Sequence, residues 1–112
     1  MKIYIAGPYG DSNPKDIIAE NVARADAIGR AIVKLGHTPY IPHKQTWHWE
    51  DDPELNSDDF MRVDLEWLRV CDALFFIAPS DGALCELQLA LELGKQIFYS
   101  IDDIQKQPMY IT

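Results

Sequence analysis

The chain of 112 residues has only two cysteines, Cys71 and Cys85. They form no CxxC pair and are too few for a disulfide scaffold, so both are expected as buried thiols in a reducing compartment, without a catalytic role. Positive charge is also scarce, with 10 Lys and Arg against 18 Asp and Glu and a net charge of −8. Nucleic-acid polymers and anionic membranes need a basic face, and neither is expected as a partner. A small anion held by backbone N–H groups at a helix start is compatible with this charge. No stretch approaches the ~18 consecutive apolar residues of a membrane span. The opening MKIYIAGPYG has too short an apolar run for a signal peptide, so a soluble, cytoplasmic protein is expected. GxGxxG and P-loop patterns are missing. The spacings of His37, His43 and His48 with Asp51 or Asp52 match no zinc pattern, so no metal and no cofactor is expected.

What the chain does have fits one domain over residues 1–112, since 47% apolar and 11% aromatic residues can build a core. Residues 2–7, KIYIAG, read as a first buried strand ending at Gly7 and Pro8, followed by a polar loop over residues 9–14. An apolar stripe at 3.6 spacing predicts a helix over residues 16–35, stopped by Gly36, and residues 37–41 read as a second strand. Residues 42–57 lack a sustained period; Trp47 and Trp49 there suit either a lid over a planar ring or a partner surface. Ser57 is the expected N-cap of a helix over residues 58–70. The apolar run at 73–78 reads as a central strand, and a turn at 79–82 opens a further helix. A last strand is expected over 96–101, and the tail at 102–112 covers an edge or joins a neighbouring subunit. This βαβ pattern predicts an α/β fold, three-layered and flavodoxin-like or Rossmann-like, with a parallel sheet of four or five strands.

Two carboxylates interrupt apolar stripes. Glu86 shares a helix face with Ala83, Leu89, Ala90 and Leu93, next to a turn at the carboxyl end of a strand, where open α/β sheets bind ligands. A first-turn Glu is also simply favourable with the helix dipole. Asp64 lies among Phe60, Met61, Leu65, Trp67 and Leu68, and a carboxylate there needs a cap, a buried partner or a site to offset several kcal/mol. Asp72 falls at the opposite end of its strand and is read as structural. Tyr4 shares a strand face with Lys2 and Ala6, and its hydroxyl needs a partner near the strand end unless it is an ordinary core-edge tyrosine. Paired acids whose environments separate their proton affinities suit cleavage of an acetal-type bond, one as nucleophile and one handling protons.

KIYIAGP at the start, MRVDLEWL at residues 61–68 and the S-x-G-x-x-x-E-L pattern at residues 80–87 together resemble the nucleoside 2-deoxyribosyltransferase superfamily, which includes the 2′-deoxynucleoside 5′-phosphate N-hydrolases. The resemblance implies that Glu86 is a nucleophile forming a glycosyl ester, that Asp64 deals with the leaving base, and that Tyr4 orients Glu86. It places Ser80 where the monophosphate hydrolases carry a Ser facing the phosphate, although a plain helix N-cap explains Ser80 equally. Gly82 would let its backbone approach the ligand, and Gly7 and Pro8 count as substrate-binding positions with it. The sequence departs from the family at Gln88, where a Gly often stands, and GPYGDS lacks the Arg of the phosphate hydrolases. The resemblance implies an N-glycosidase acting on (deoxy)nucleoside 5′-monophosphates, without metal, as a homodimer. The alternatives are a deoxyribosyltransferase on free nucleosides and an inactive nucleotide-binding or sensory module.

Overall fold

The structure is a computed structural model that describes residues 1–10 and 14–107. Part of the polar loop expected at 9–14, and the end of the tail expected to cover an edge or meet a partner, lie outside the described residues. The elements run β1 (Lys2–Ala6), α1 (Lys15–Lys34), β2 (Thr38–Tyr40), α2 (Pro42–Gln45), α3 (Ser57–Val70), β3 (Ala73–Phe76), α4 (Asp81–Glu92) and β4 (Gln96–Phe98). Short 3₁₀ turns stand at Trp49–Asp51 and Ile101–Asp103.

The four strands form one all-parallel sheet in the order β2-β1-β3-β4. This is the expected α/β architecture, with four strands among the described residues. Alternation along β1 divides the core. Ile3 and Ile5 pack with Ala25 and Ile32 of α1 and with Phe75 and Phe98, on one face. Tyr4 and Ala6 pack with Leu68 of α3, Leu74, and Ala83 and Ala90 of α4, on the other. After β1 the chain crosses to β2 on one side, and later to β3 on the other. The loops leaving the carboxyl ends of β1 and β3 therefore diverge, which opens a crevice between them.

Several local expectations change in the structure. The N-cap of α3 is Asn56, not Ser57: its side chain accepts from the Asp59 amide while the Asp59 carboxylate accepts from the Asn56 amide. Asn56 wins because the residue three positions on, Asp59, can return the bond, whereas Ser57 is followed at that spacing by Phe60. Cys71 is buried as expected, but Cys85 is exposed, on the outer side of α4. Residues 42–57 are not wholly irregular, since they hold α2 and the turn at Trp49–Asp51. Trp49 packs edge-on against Phe60 of α3, while Trp47 stacks on His48 and stays partly exposed. Asp72 accepts the Lys2 amide at 2.8 Å, a structural bond at the amino edge of the sheet.

The turns after α1 and α4 use a left-handed backbone, at Gly36 (φ 86°) and Gly94 (φ 71°). A Cβ on Gly36 would lie 2.7 Å from the Gln107 carbonyl oxygen, whereas one on Gly94 would meet nothing within 4 Å. Gly94→Ala should therefore cost about 1 kcal/mol for its backbone conformation alone, and Gly36→Ala roughly 1–3 kcal/mol because the clash adds to it. Urea unfolding of both variants checks this. Equal losses would mean that the segment at Gln107 yields without penalty.

Candidate active site

The crevice at the carboxyl ends of β1 and β3 is a cavity of about 280 Å³. One wall is the loop after β1, including Gly7 and Pro8; a second is the start of α4, with Ser80, Gly82 and Glu86; Asp64 of α3 and His43 of α2 complete it. Tyr4 stands at 0% exposure on β1, and its hydroxyl donates to Glu86 Oε2. All the site residues expected from the sequence thus come together here: Gly7, Pro8, Asp64, Ser80, Gly82 and Glu86 line the cavity, and Tyr4 reaches it through Glu86.

Each position has a local cause. Ser80 is in extended conformation, and its Oγ accepts from the Ala83 amide at 3.1 Å, so it caps α4. The cap uses the oxygen as an acceptor and leaves the hydroxyl proton for another acceptor. Capping in turn sets α4 so that Ala83, Glu86 and Ala90, at i, i+3 and i+7, face the sheet. At Gly7 a Cβ would come within 3.0 Å of Ile77, so the absence of a side chain lets the end of β1 pass close to the segment after β3. At Gly82 a Cβ would stand 3.2 Å from the end of the Met61 side chain.

Burial dominates the electrostatics. Glu86 is 5% exposed, and burial pushes its carboxyl up to about 8; the Tyr4 hydrogen bond pulls it down, and the charge of Asp64 raises it. Asp64 is pushed up to about 7 by burial. Tyr4 is raised well above the usual phenol range, by burial first and then by Glu86 and Asp64, so it stays a neutral donor.

His43 was not singled out for the site by its sequence. It is buried, and its Nε2–H donates to the carbonyls of Gly7 at 3.1 Å and Pro8 at 3.2 Å, tying α2 to the loop after β1. Burial lowers its pKa, and in the neutral ring Nδ1 is an acceptor with no partner. Asp64 Oδ1 and Tyr40 Oη are likewise buried and unpartnered. Each such atom costs about 1–3 kcal/mol when left unpaired, and the three residues that carry them stand at the carboxyl end of the sheet. The signal available in the sequence was position, since Pro42-His43 directly follows β2 at the carboxyl edge of the sheet.

Among the described residues no Lys or Arg lines the cavity, whereas Asp64, Asp81 and Glu86 do. Among them, too, no three His, Cys, Asp or Glu side chains group as a metal would need, and no helix is long and apolar enough to cross a membrane.

The raised carboxyls have a consequence for stability. Between the ordinary Glu value and about 8 the folded state holds a proton on Glu86 that the unfolded state releases, so stability falls as pH rises through that window. The slope approaches about 1.4 kcal/mol per pH unit for one such group. Glu86→Gln, which has nothing to ionise, should melt higher than the wild type at pH 9, with the difference shrinking towards pH 5. A difference that is the same at both pH values would remove the burial argument.

The fold has close structural counterparts. It is similar to the 2-deoxyribosyltransferase of the psychrotolerant bacterium Bacillus psychrosaccharolyticus, with a TM-score of 0.62 at 24% identity, over 87% of this chain and 69% of that one. It is also similar to a 2-deoxyribosyltransferase from Leishmania mexicana, with a TM-score of 0.59 at 23% identity, over 86% of this chain and 61% of that enzyme. At these identities the likeness is one of fold. No curated protein matches the chain. Residues 1–100 match the family described as a domain of unknown function, DUF7768, and the chain belongs to that family.

Proposed function

We propose that the protein cleaves the N-glycosidic bond of a nucleoside, with Glu86 as nucleophile. The observation that carries this reading is the pair of carboxyls facing one cavity, Glu86 buried and held by a tyrosine donor, Asp64 half-buried with its Oδ1 out of solvent. Glu86 forms a bond to the anomeric carbon as the carbon–nitrogen bond breaks, and the electron pair of that bond goes to the base nitrogen. Asp64, which burial raises to about 7 so that a protonated fraction persists near neutrality, gives its proton to the departing base. Water or a second base then attacks the anomeric carbon of the ester, its proton passes to Asp64, and Glu86 leaves as carboxylate. The Tyr4 hydroxyl steers the Glu86 oxygen throughout. The fold shared with two proteins described as 2-deoxyribosyltransferases supports this chemistry.

A free nucleoside suits the cavity better than a monophosphate. Among the described residues no cation lines it to neutralise a phosphate dianion, and the dianion would oppose the ionisation of Glu86 that the attack needs. The monophosphate is the second reading, favoured by the Ser80 hydroxyl at the start of α4. From another class, a nucleotide-binding module would keep the cavity without turnover.

Incubating the protein with each deoxynucleoside and its 5′-monophosphate, with and without a second base, and separating free base by chromatography decides among these. Base should appear faster from the free nucleosides, and Glu86→Gln should lower the rate at least a thousandfold while keeping the fold. Release that needs an added second base identifies transfer. If no base appears while a nucleoside still raises the melting temperature, the enzyme reading fails and the binding module stands.

The reactive form needs Glu86 ionised and Asp64 protonated, opposite to the order of about 8 and about 7 in the free protein. The competent form is thus a minor one, and kcat/KM should follow a bell with limbs near 7 and 8. A profile flat from pH 6 to 9 would contradict the pairing.

A further inference from the structure

Tyr40 ends β2 and is the register partner of Tyr4, so the two side chains stand on the same face of the sheet. Their rings stack with centroids 5.6 Å apart, and Trp67 of α3 stacks on Tyr40 at 5.3 Å. Asp64 precedes Trp67 by three residues, which places it one turn away on the same side of α3. The Tyr40 ring is therefore clamped between Tyr4 and α3. Its buried hydroxyl has no acceptor, and one turn from the clamp the buried Asp64 Oδ1 has no donor.

We propose that Tyr40 is a positioning residue for Asp64, donating a hydrogen bond to the carboxylate that Asp64 becomes when it gives up its proton. The inference rests on the proton-transfer role proposed above for Asp64. As the carbon–nitrogen bond breaks, the Asp64 proton moves to the base nitrogen, and the Tyr40 O–H turns to the new carboxylate without transferring its own proton. When the incoming water or base returns a proton to Asp64, the hydrogen bond is released.

The other groups nearby are committed elsewhere or have the wrong sign. On β1 the Tyr4 hydroxyl is used by Glu86, and Glu86 on α4 is itself an acid. The His43 Nε2–H after β2 is held by Gly7 and Pro8. The Cys71 thiol, at the end of α3, is a weak donor that burial pushes up. Burial also raises the Tyr40 phenol, first among its causes, with the charge of Asp64 next, so Tyr40 keeps its proton over the whole working range.

The test follows Asp64 directly, by carbon NMR of protein labelled at the aspartate carboxyls, with Asp64→Asn to assign the signal. In Tyr40→Phe, which keeps the ring and its stacking, the Asp64 titration should move up by about one pH unit or more, the effect of losing one charge-assisted hydrogen bond. In the wild type the Tyr40 Cζ signal should inflect at the pH where Asp64 titrates; this decides the matter if the variant does not fold. The acid limb of kcat/KM, which lies near the Asp64 value of about 7, should move up with Asp64 in Tyr40→Phe. An Asp64 titration unchanged in a folded Tyr40→Phe overturns the proposal, even where base release continues. Conversely, a shifted titration in a protein that releases no base leaves the Tyr40–Asp64 bond standing and removes the glycosidase reading instead.

Discussion

The hydrogen bond from Tyr4 to Glu86 is the interaction on which the arrangement turns. A carboxyl group 5% exposed among Ala83, Ala90 and the strand residues is expensive to ionise, and one phenolic donor from the neighbouring layer offsets part of that cost. The bond exists only because β3 lies beside β1, so that the helix following β3 covers the face of β1 that Tyr4 occupies. Strand order, the parity of side chains along β1 and the cap at Ser80 all converge on the placement of one oxygen atom.

Around that atom burial shifts the inner ionisable groups of the cavity towards their neutral forms. Burial favours the protonated form of both acids and the uncharged form of His43. Low dielectric makes each group sensitive to any charge that develops close by, and it strengthens hydrogen bonds made to a reacting species. The three unpartnered atoms show the same economy, since polar groups left unsatisfied within the protein are available to a ligand.

Much of this was legible from the sequence, for reasons that particular residues make clear. Glu86 and Asp64 stand out because a charge in an apolar stripe breaks an otherwise regular pattern, and Tyr4 because alternation on a short strand assigns it a face. His43 was weighed only as a metal ligand because its segment has no period; its placement comes from the end of β2 and from the carbonyls of Gly7 and Pro8, a long-range fact. The exposure of Cys85 was hidden because α4 is apolar nearly all round, and Leu84 and Leu91 beside it are exposed as well. Strand lengths were overestimated at 73–78 and 96–101, because an apolar run continues past the last ladder partner into the loops. The α3 cap turned on which acid could return a bond, a reciprocal geometry that the Ser57 hydroxyl alone did not reveal.

Pro39 lies in the middle of β2, the outermost strand on its side of the sheet. The Thr38 amide donates inward to the Met1 carbonyl, so by alternation the nitrogen of Pro39 faces outward, and it carries no hydrogen. A strand arriving at that border finds no donor where the ladder would need one, and growth of the sheet in that direction is opposed. Exposed apolar side chains lie elsewhere, at Trp67 and Val70 on α3 and at Leu84 and Leu91 on α4. A three-residue strand thus acts as a fence at that border of the sheet.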